Sequence, residues 1–414
     1  MKVLILNTQE SFGGAAIAAK RLHDGLLRHG VDSSLFVMNK ETNKSNIYGP
    51  DSKLERIISR LRAAIDSLPL WGYRHRSGMF SVAWWNNRKL VRRINESNCD
   101  VVHLHWVNAG FLSVHDISRI KKPVIITLHD MWYFTGGCHY TNSCEGFKQD
   151  CGNCPLISSN FKYDISFIKR RQKRSVYAKT NATFIALSHW IYNEINSSKI
   201  AVSNKKLIIP NPIHLEKYVS IPKNNARVLL DLPLDKKIVM FGAVNSTSDS
   251  RKGYKELKNA LKEMEVENLI LVIFGSSTSD LESELNGKYK VVCLGFLNDE
   301  LTARIAYSAA DVMVVPSLEE NLSNTIIESL ACNTPVVAFD IGGNKDMIDH
   351  KKNGYLAKFD LTGKTLAQGI LYTLDNKSEL SLNARKTVED KFDEQIIIPK
   401  YIKLYRELFS KGQK

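Results

Sequence analysis

Eleven apolar runs of three to six residues recur along the chain with helix-patterned stretches between them, and this alternation restricts the fold more than any other feature. The runs are Val3–Asn7, Leu35–Met38, Val101–His105, Val124–Leu128, Phe184–Leu187 and Leu207–Ile209, then Ile238–Gly242, Leu269–Phe274, Val291–Leu294, Val312–Val315 and Val336–Phe339. Strands that alternate with helices predict α/β architecture with two doubly wound, mostly parallel sheets. The chain has 414 residues, 43% of them hydrophobic, which suffices for two cores of roughly 200 residues each. Pro210-Asn211-Pro212 is the best boundary, because two prolines in three residues halt regular structure. The expected domains are therefore 1–210 and 211–390, followed by a terminal segment 391–414 whose run from Ile396 to Phe409 has helical spacing. There is no internal repeat.

The stretch Pro316 to Val337 carries the most chemistry. Asp311 to Pro316 reads as a buried strand, and Thr325 to Ala331 as a helix closed by Asn333, a residue that tolerates the left-handed conformation. Between them lies Glu320, and Glu328 follows about two turns further on. In open α/β sheets such a loop lies at the carboxyl edge of the strands, and the free N–H groups of a helix start favour an anion. Glu320 could face one polyhydroxylated group and Glu328 another, with a diphosphate between them, as in a nucleotide sugar. The plainer alternative is two solvated surface carboxylates.

This segment resembles the signature of the retaining glycosyltransferases of family 4, in which two Glu residues separated by seven positions precede a small-residue helix end and Pro-Val-Val. The resemblance continues in Asp340-Ile341-Gly342-Gly343-Asn344-Lys345-Asp346, a Gly-Gly loop, and in Asn353-Gly354-Tyr355-Leu356, a turn. It implies the GT-B fold, two Rossmann-like domains facing a cleft, with the last helix crossing back to the first domain. It places Glu320 on the donor sugar and Glu328 on the ribose, with Asn321, Leu322, Ser323 and Asn324 on the donor side; Ser323 also reads as a helix cap.

Other positions fit the same family. Gly13 and Gly14, after the first strand, let the backbone approach a phosphate or sugar at a helix start, although a tight turn explains a glycine pair equally well. Arg251-Lys252-Gly253 follows Phe241-Gly242-Ala243-Val244-Asn245, and Lys252 matches a family lysine that would stabilise the departing diphosphate. The arginine expected just after that strand is replaced near Ala243-Val244, and Arg251 either substitutes for it or is a surface residue. His129, at the end of Val124–Leu128, resembles the first-domain histidine that lies near the transferred sugar. Asp130 reads as an acceptor-side base or as a loop cap. Ser188 and Asn211 match family positions near the cleft, whereas His103 and His105 read as structural.

Four of the seven cysteines, Cys138, Cys144, Cys151 and Cys154, fall within seventeen residues, in an insert 137–155 poor in hydrophobic content. The ligand count and softness fit a structural Zn²⁺, with reduced thiols or two disulfides as the alternatives. Cys99, Cys293 and Cys332 read as ordinary buried residues. No cofactor for catalysis is expected, since no Asp-x-Asp pair indicates a metal. The N-terminus lacks a cleavable signal pattern and no run approaches the ~18 apolar residues of a membrane span, so a cytoplasmic location is expected. Net charge is +14, and residues 1–210 hold 30 Lys and Arg against 15 Asp and Glu. The clusters Arg88–Arg93 and Lys169–Arg174, with Trp71, Trp84 and Trp85, fit either an anionic inner membrane surface or solvated basic helices. Nucleic acid is not expected, because no binding module accompanies the charge.

The expectation is an enzyme, a retaining hexosyltransferase moving a sugar from a nucleotide diphosphate donor to a hydroxyl of a growing surface polysaccharide, on a polyprenyl diphosphate lipid or another glycan acceptor. Retaining glycosidases use a carboxylate nucleophile about 5 Å from an acid, and no such pair can be assigned. Two alternatives are another GT-B enzyme, a sugar-phosphate synthase or phosphorylase, and a non-catalytic nucleotide- or glycan-binding module.

Overall fold

In the computed structural model, which describes residues 1–50, 52–242, 249–275, 280–297 and 299–412, the apolar runs form two parallel sheets. The first contains β1 (Lys2–Gln9), β2 (Asp32–Asn39), β3 (Ile47–Tyr48), β4 (Val101–Leu104), β5 (Val124–Leu128), β6 (Thr183–Ala186) and β7 (Lys206–Ile208), in the order β3-β2-β1-β4-β5-β6-β7. The second contains β8 (Lys237–Gly242), β9 (Leu269–Phe274), β10 (Lys290–Cys293), β11 (Val312–Val315), β12 (Val336–Phe339) and β13 (Gly354–Ala357), in the order β10-β9-β8-β11-β12-β13. Both are doubly wound Rossmann-like sheets, with the strand order reversing between β1 and β4 and between β8 and β11. By contacts the chain divides into Met1–Pro212 with Ile397–Lys414, and Ile213–Ile396.

Why the runs are uninterrupted is plain in the first sheet. Leu4, Leu6, Val102, Leu104, Ile126, Leu128, Phe184 and Ala186 feed one core, while the alternate residues Val3, Ile5, Val101, Ile125 and Ile185 feed another on the opposite face. Side chains alternate along a strand, so a strand covered on both sides must be apolar throughout. The second of these cores is completed by Ile397, Ile398, Tyr401, Leu404 and Tyr405 of the helix Glu394–Gly412. His103 pins that helix: its Nδ1 lies 2.8 Å from the Tyr405 hydroxyl and its Nε2 2.7 Å from the Thr127 hydroxyl. Burial, aided by the neighbouring His129, pulls the His103 imidazole down to about 3, so it is neutral.

Two short strands escape a reading by apolar runs. β3 has two residues, and β13 begins at Gly354, inside the sequence read as a turn. A Cβ on Gly354 would lie 2.2 Å from the Val336 carbonyl oxygen, so the glycine is what lets β13 pair closely with β12. Two further expectations are corrected. Lys169, Arg170 and Lys173 are buried within the helix Ile165–Ala178, so the cluster Lys169–Arg174 is not one solvated or membrane-facing surface. Cys293 is exposed rather than buried. Among the described residues no helix is long and apolar enough to cross a membrane.

Just before β11 the second sheet contains a buried charge hub. Asp311 accepts from Arg227 Nη2 at 2.8 Å, Lys223 Nζ at 2.7 Å, Lys377 Nζ at 2.9 Å and the Ile238 N–H at 2.8 Å. Burial works to raise the Asp311 carboxyl, but Lys223, the Ile238 N–H and Lys377 outweigh it and hold the group at about 2. A depressed carboxylate contributes stability that is fully present above the ordinary value of 3.8 and is lost as pH falls through the folded value. Asp311→Ala strands the buried Arg227 guanidinium and is expected to destabilise the second unit by about 3–5 kcal/mol. Thermal unfolding at neutral pH checks this, and a loss below about 1 kcal/mol would contradict it.

Candidate active site

The switch point of the second sheet is built by two loops packed backbone against backbone. Gly253 has φ 74° between the turn Ser250–Lys252 and the helix Tyr254–Glu263, and a Cβ there would lie 1.9 Å from the Pro316 carbonyl oxygen. Leu318 N donates to the Arg251 carbonyl at 2.8 Å, and Arg251 Nη1 donates to the Glu319 carbonyl at 3.1 Å. These contacts carry the side chains together: Lys252 Nζ stands 3.0 Å from Glu320 Oε2, with Arg251 Nη1 at 3.8 Å and the Ser317 hydroxyl donating at 3.3 Å.

A third loop closes on the other side. Gly343 N donates to the Glu320 carbonyl at 3.0 Å, and Gly342, at φ 53°, brings its backbone so near that a Cβ would lie 2.0 Å from that oxygen. Burial of Glu320 works against its charge, yet Lys252 and then Arg251 more than offset it, so the carboxyl titrates below its ordinary range. A cavity of about 10 Å³ lies here, lined by Gly242, Lys252, Ser317, Ser323 and Thr325 among others. Ala243-Val244-Asn245, where the family arginine is replaced, lies outside the described residues.

Glu328 has a separate partner. It is buried in the helix Asn324–Ala331 and accepts from the Tyr307 hydroxyl at 2.9 Å. Burial first, then the Glu328 charge, raises the Tyr307 hydroxyl well above its ordinary value, so it stays a donor. Nothing in the pattern of helix Glu300–Ala309 marks Tyr307, and the sequence reading missed it, as it missed Ser317. Asn321 and Leu322 are buried and Asn324 half-buried. Ser323 takes the N-cap position, but its side chain accepts no capping hydrogen bond, which corrects its reading as a side-chain cap. Asn333 has φ 60°, as expected for the helix end.

In the first unit, Gly13 (φ 91°) is the N-cap of the helix Gly14–Arg28, and a Cβ there would meet nothing within 4 Å. The positive φ, not crowding, is what calls for glycine. After β4 and β5 the polar residues gather: His129 Nε2 lies 2.7 Å from His105 Nδ1. Burial lowers His129 to about 4, only partly opposed by Asp130, and drives the fully buried His105 well below its ordinary range. His105 is thus a direct partner of His129 as well as a core residue.

Asp130 is occupied on both oxygens. Oδ1 accepts from Trp132 N at 2.8 Å, and Oδ2 accepts from Trp106 Nε1 at 3.1 Å and faces His139 Nδ1 at 2.7 Å. Asp130 thus makes the loop-capping contact of one of its two sequence readings. His139, next to Cys138, was missed because only the fold brings it to Asp130. The Ser188 hydroxyl accepts from Ile191 N at 3.3 Å and caps the helix His189–Ser197. Asn211 is buried just after β7. Trp71 and Trp84 are exposed, while Trp85 is half-buried under the Arg62 guanidinium at 4.8 Å. Cys138, Cys144, Cys151 and Cys154 are free thiols that line one cavity. Among the described residues no group of three or more His, Cys, Asp or Glu stands ready to hold a metal.

Comparison with known proteins agrees with this fold. The family model for glycosyl transferases group 1 matches residues 235–376, and that for glycosyltransferase family 4 matches residues 12–217. A putative colanic acid biosynthesis glycosyl transferase of Escherichia coli, WcaC, is 23% identical over 99% of this chain and 100% of its own length. The solved structure of a sucrose-phosphate synthase from Thermosynechococcus elongatus superposes with a TM-score of 0.72 at 20% identity, covering 99% of both chains. Anabaena HepE in complex with UDP and glucose gives 0.69 at 16% identity, over 98% of this chain and all of its own. These structures have the GT-B fold.

Gly342→Ala adds a methyl group against immovable backbone at a positive φ, and is expected to cost about 1–3 kcal/mol. Gly13→Ala carries only the φ penalty, about 1 kcal/mol, so the thermal midpoints should rank wild type, Gly13→Ala, Gly342→Ala. The neutral histidines add a pH signature. Folded values near 3 and 4 for His103 and His129 lie below the ordinary 6.5, so their stabilisation is complete above 6.5 and is lost as pH falls toward the folded values. Calorimetry should show the first unit weakening below 6.5, before the Asp311 window is reached; a flat profile down to 4 would contradict the assignment.

Proposed function

Because the chain belongs to the glycosyltransferases of group 1 and family 4, we propose that it transfers a hexose-type sugar, with retention, from a nucleotide diphosphate donor to a hydroxyl of a growing surface polysaccharide. The observation that carries this reading is the joined set Lys252, Arg251, Ser317 and Glu320 at the carboxyl edge of the second sheet, beside the start of the helix Asn324–Ala331. It supplies two cations for a diphosphate, a helix N-terminus for phosphate oxygens and an ionised carboxylate for sugar hydroxyls. Donor contacts are further proposed for Gly13, Gly14, Asn321, Leu322, Ser323 and Asn324. Glu328, held by Tyr307, would take the ribose hydroxyls.

The step balances without an added co-reactant. The acceptor oxygen bonds to the anomeric carbon on the face that the diphosphate vacates, the carbon–oxygen bond to the diphosphate breaks, and the acceptor proton passes to the departing phosphate. Charge grows on the diphosphate as it leaves, and Lys252 would bind it better in that state than in the ground state. His129, neutral at physiological pH because its value is about 4, acts as a hydrogen-bonding group at the sugar rather than as an acid or base. Ser188 and Asn211 are assigned to the acceptor side, and Asp130 to the same side as the residue that orients His139.

UDP-sugars are the first donors to test, since the HepE complex holds UDP. The colanic acid relative favours a glycan acceptor, for which a polyprenyl diphosphate-linked sugar is proposed, met at the inner face of the cell membrane. Slow hydrolysis of a nucleotide-sugar panel reads the donor site without knowledge of the acceptor. Lys252→Ala should lower that rate about 10²–10³-fold, the effect of removing one well-placed transition-state contact. Glu320→Gln should lower it similarly, each with an unchanged fold by circular dichroism. Either variant within a factor of about three of wild type would refute its assignment. Phosphorylated sugars as acceptors separate a sugar-phosphate synthase, and nucleotide binding without turnover separates a non-catalytic module.

A further inference from the structure

The insert 137–155 takes no part in the donor chemistry, yet its four cysteines converge on one place. Cys138, Cys144, Cys151 and Cys154 all line a cavity of about 20 Å³, closed on other sides by Phe80 and Phe147. A space of that size admits about one atom and no organic ligand. Backbone amides point at the sulfurs: Gly146 N lies 3.4 Å from Cys144 Sγ, the Leu156 and Ile157 amides bond Cys154, and the Gly136 amide bonds Cys151. These amides only partly oppose burial, the larger effect, which keeps Cys138, Cys151 and Cys154 as thiols in the metal-free protein.

The second observation is a surplus of buried positive charge beside these sulfurs. Arg170 is 2% exposed and is an electrostatic neighbour of Cys151. Its Nε donates to the Phe147 carbonyl and its Nη2 to the Ser198 carbonyl, while Nη1 has no hydrogen-bond partner. Lys173 is 1% exposed, neighbours Cys138 and Cys151, and bonds the carbonyls of Trp132 and Thr135 over the Trp132 ring at 3.9 Å. Carbonyl dipoles do not balance the buried Arg170 guanidinium, and burial already pulls the Lys173 ammonium down to about 7, as befits a cation short of a counter-charge. Four neutral thiols do nothing to repair this.

We propose that Cys138, Cys144, Cys151 and Cys154 bind one structural Zn²⁺ as a closed tetrathiolate, and that Arg170 and Lys173 are its built-in counter-charges. Binding releases four thiol protons, and the resulting site, one dication with four thiolates, carries two negative charges that the two buried cations balance. The thiols surround the cavity without yet forming a metal-ready group, so ligation turns them inward. With the metal in place, Cys138 is fixed, and with it the adjacent His139 that faces Asp130 at 2.7 Å. The insert thereby becomes a brace for the residues after β5, independent of how the donor is read.

Elemental analysis of the full chain is expected to find one zinc per molecule, and titration with an organomercurial in the presence of a zinc indicator should release it only as four thiols are consumed. Protein grown with cobalt in place of zinc should display the visible bands of tetrahedral cobalt–thiolate. Arg170→Met keeps every ligand and should weaken zinc about 10–100-fold in chelator competition, as loss of an outer-shell partner does. Zinc below about a tenth of an equivalent, together with no cobalt bands, overturns the site. Full zinc in wild type with unchanged affinity in Arg170→Met overturns the charge balance. Cys151→Ser should lose the bound zinc, and should that variant fail to fold, the mercurial titration of the wild-type chain still decides.

Discussion

Burial of the central strands on both faces governs everything else in the first sheet, where alternate residues of β1, β4, β5 and β6 enter two separate cores. A strand enclosed in this way has no room for unsatisfied polar groups along its length, because each would cost ~1–3 kcal/mol. Polar chemistry is therefore displaced to the strand ends. His103 and Thr127 are exceptions, tolerated because they bond each other, the Tyr405 hydroxyl engages the other ring nitrogen and burial keeps the imidazole uncharged. His105, His129 and Asp130 follow directly after β4 and β5, where the chain leaves the sheet.

The second sheet shows how similar charge chemistry serves two ends of one strand. Asp311 and Glu320 flank β11, both are nearly inaccessible and both carboxyls are held below their ordinary range by cations. Asp311 is surrounded by three cations and a backbone N–H, and lies at the amino end, where conservation of stability is its role. Glu320 pairs with Lys252 and more distantly with Arg251 at the carboxyl end, next to a helix start. A strong ion pair at a switch point can exchange partners when an anionic, hydroxyl-rich ligand arrives. The same pair enclosed at the other end could only hold the sheet together.

Glycine has a different duty here from the one usually assigned to phosphate loops. Gly253 and Gly342 bring backbone against backbone, Pro316 in one case and Glu320 in the other, and so fix the carboxylate between two turns. Precision at Glu320 thus comes from the main chain, with side chains contributing the charge. Gly13 lacks any such neighbour, and its backbone at the start of the first helix stays open.

The alternation of apolar runs sufficed for two parallel α/β sheets, since covering both faces of a strand imposes an apolar run directly on the sequence. Two glutamates with seven residues between them, a Lys-Gly pair and a Gly-Gly loop sufficed for the family, because these residues are set by local backbone needs at strand ends. Two-residue β3 and glycine-led β13 left no such trace, being short edge strands. Tertiary structure alone decided which side chains meet. It put Tyr307 on Glu328, His139 on Asp130 and Lys252 on Glu320. It also turned Lys169, Arg170 and Lys173 inward from what reads as a surface charge run. Charge in a sequence records only that a residue is ionisable; whether it faces water or a buried partner depends on the packing of elements far apart along the chain.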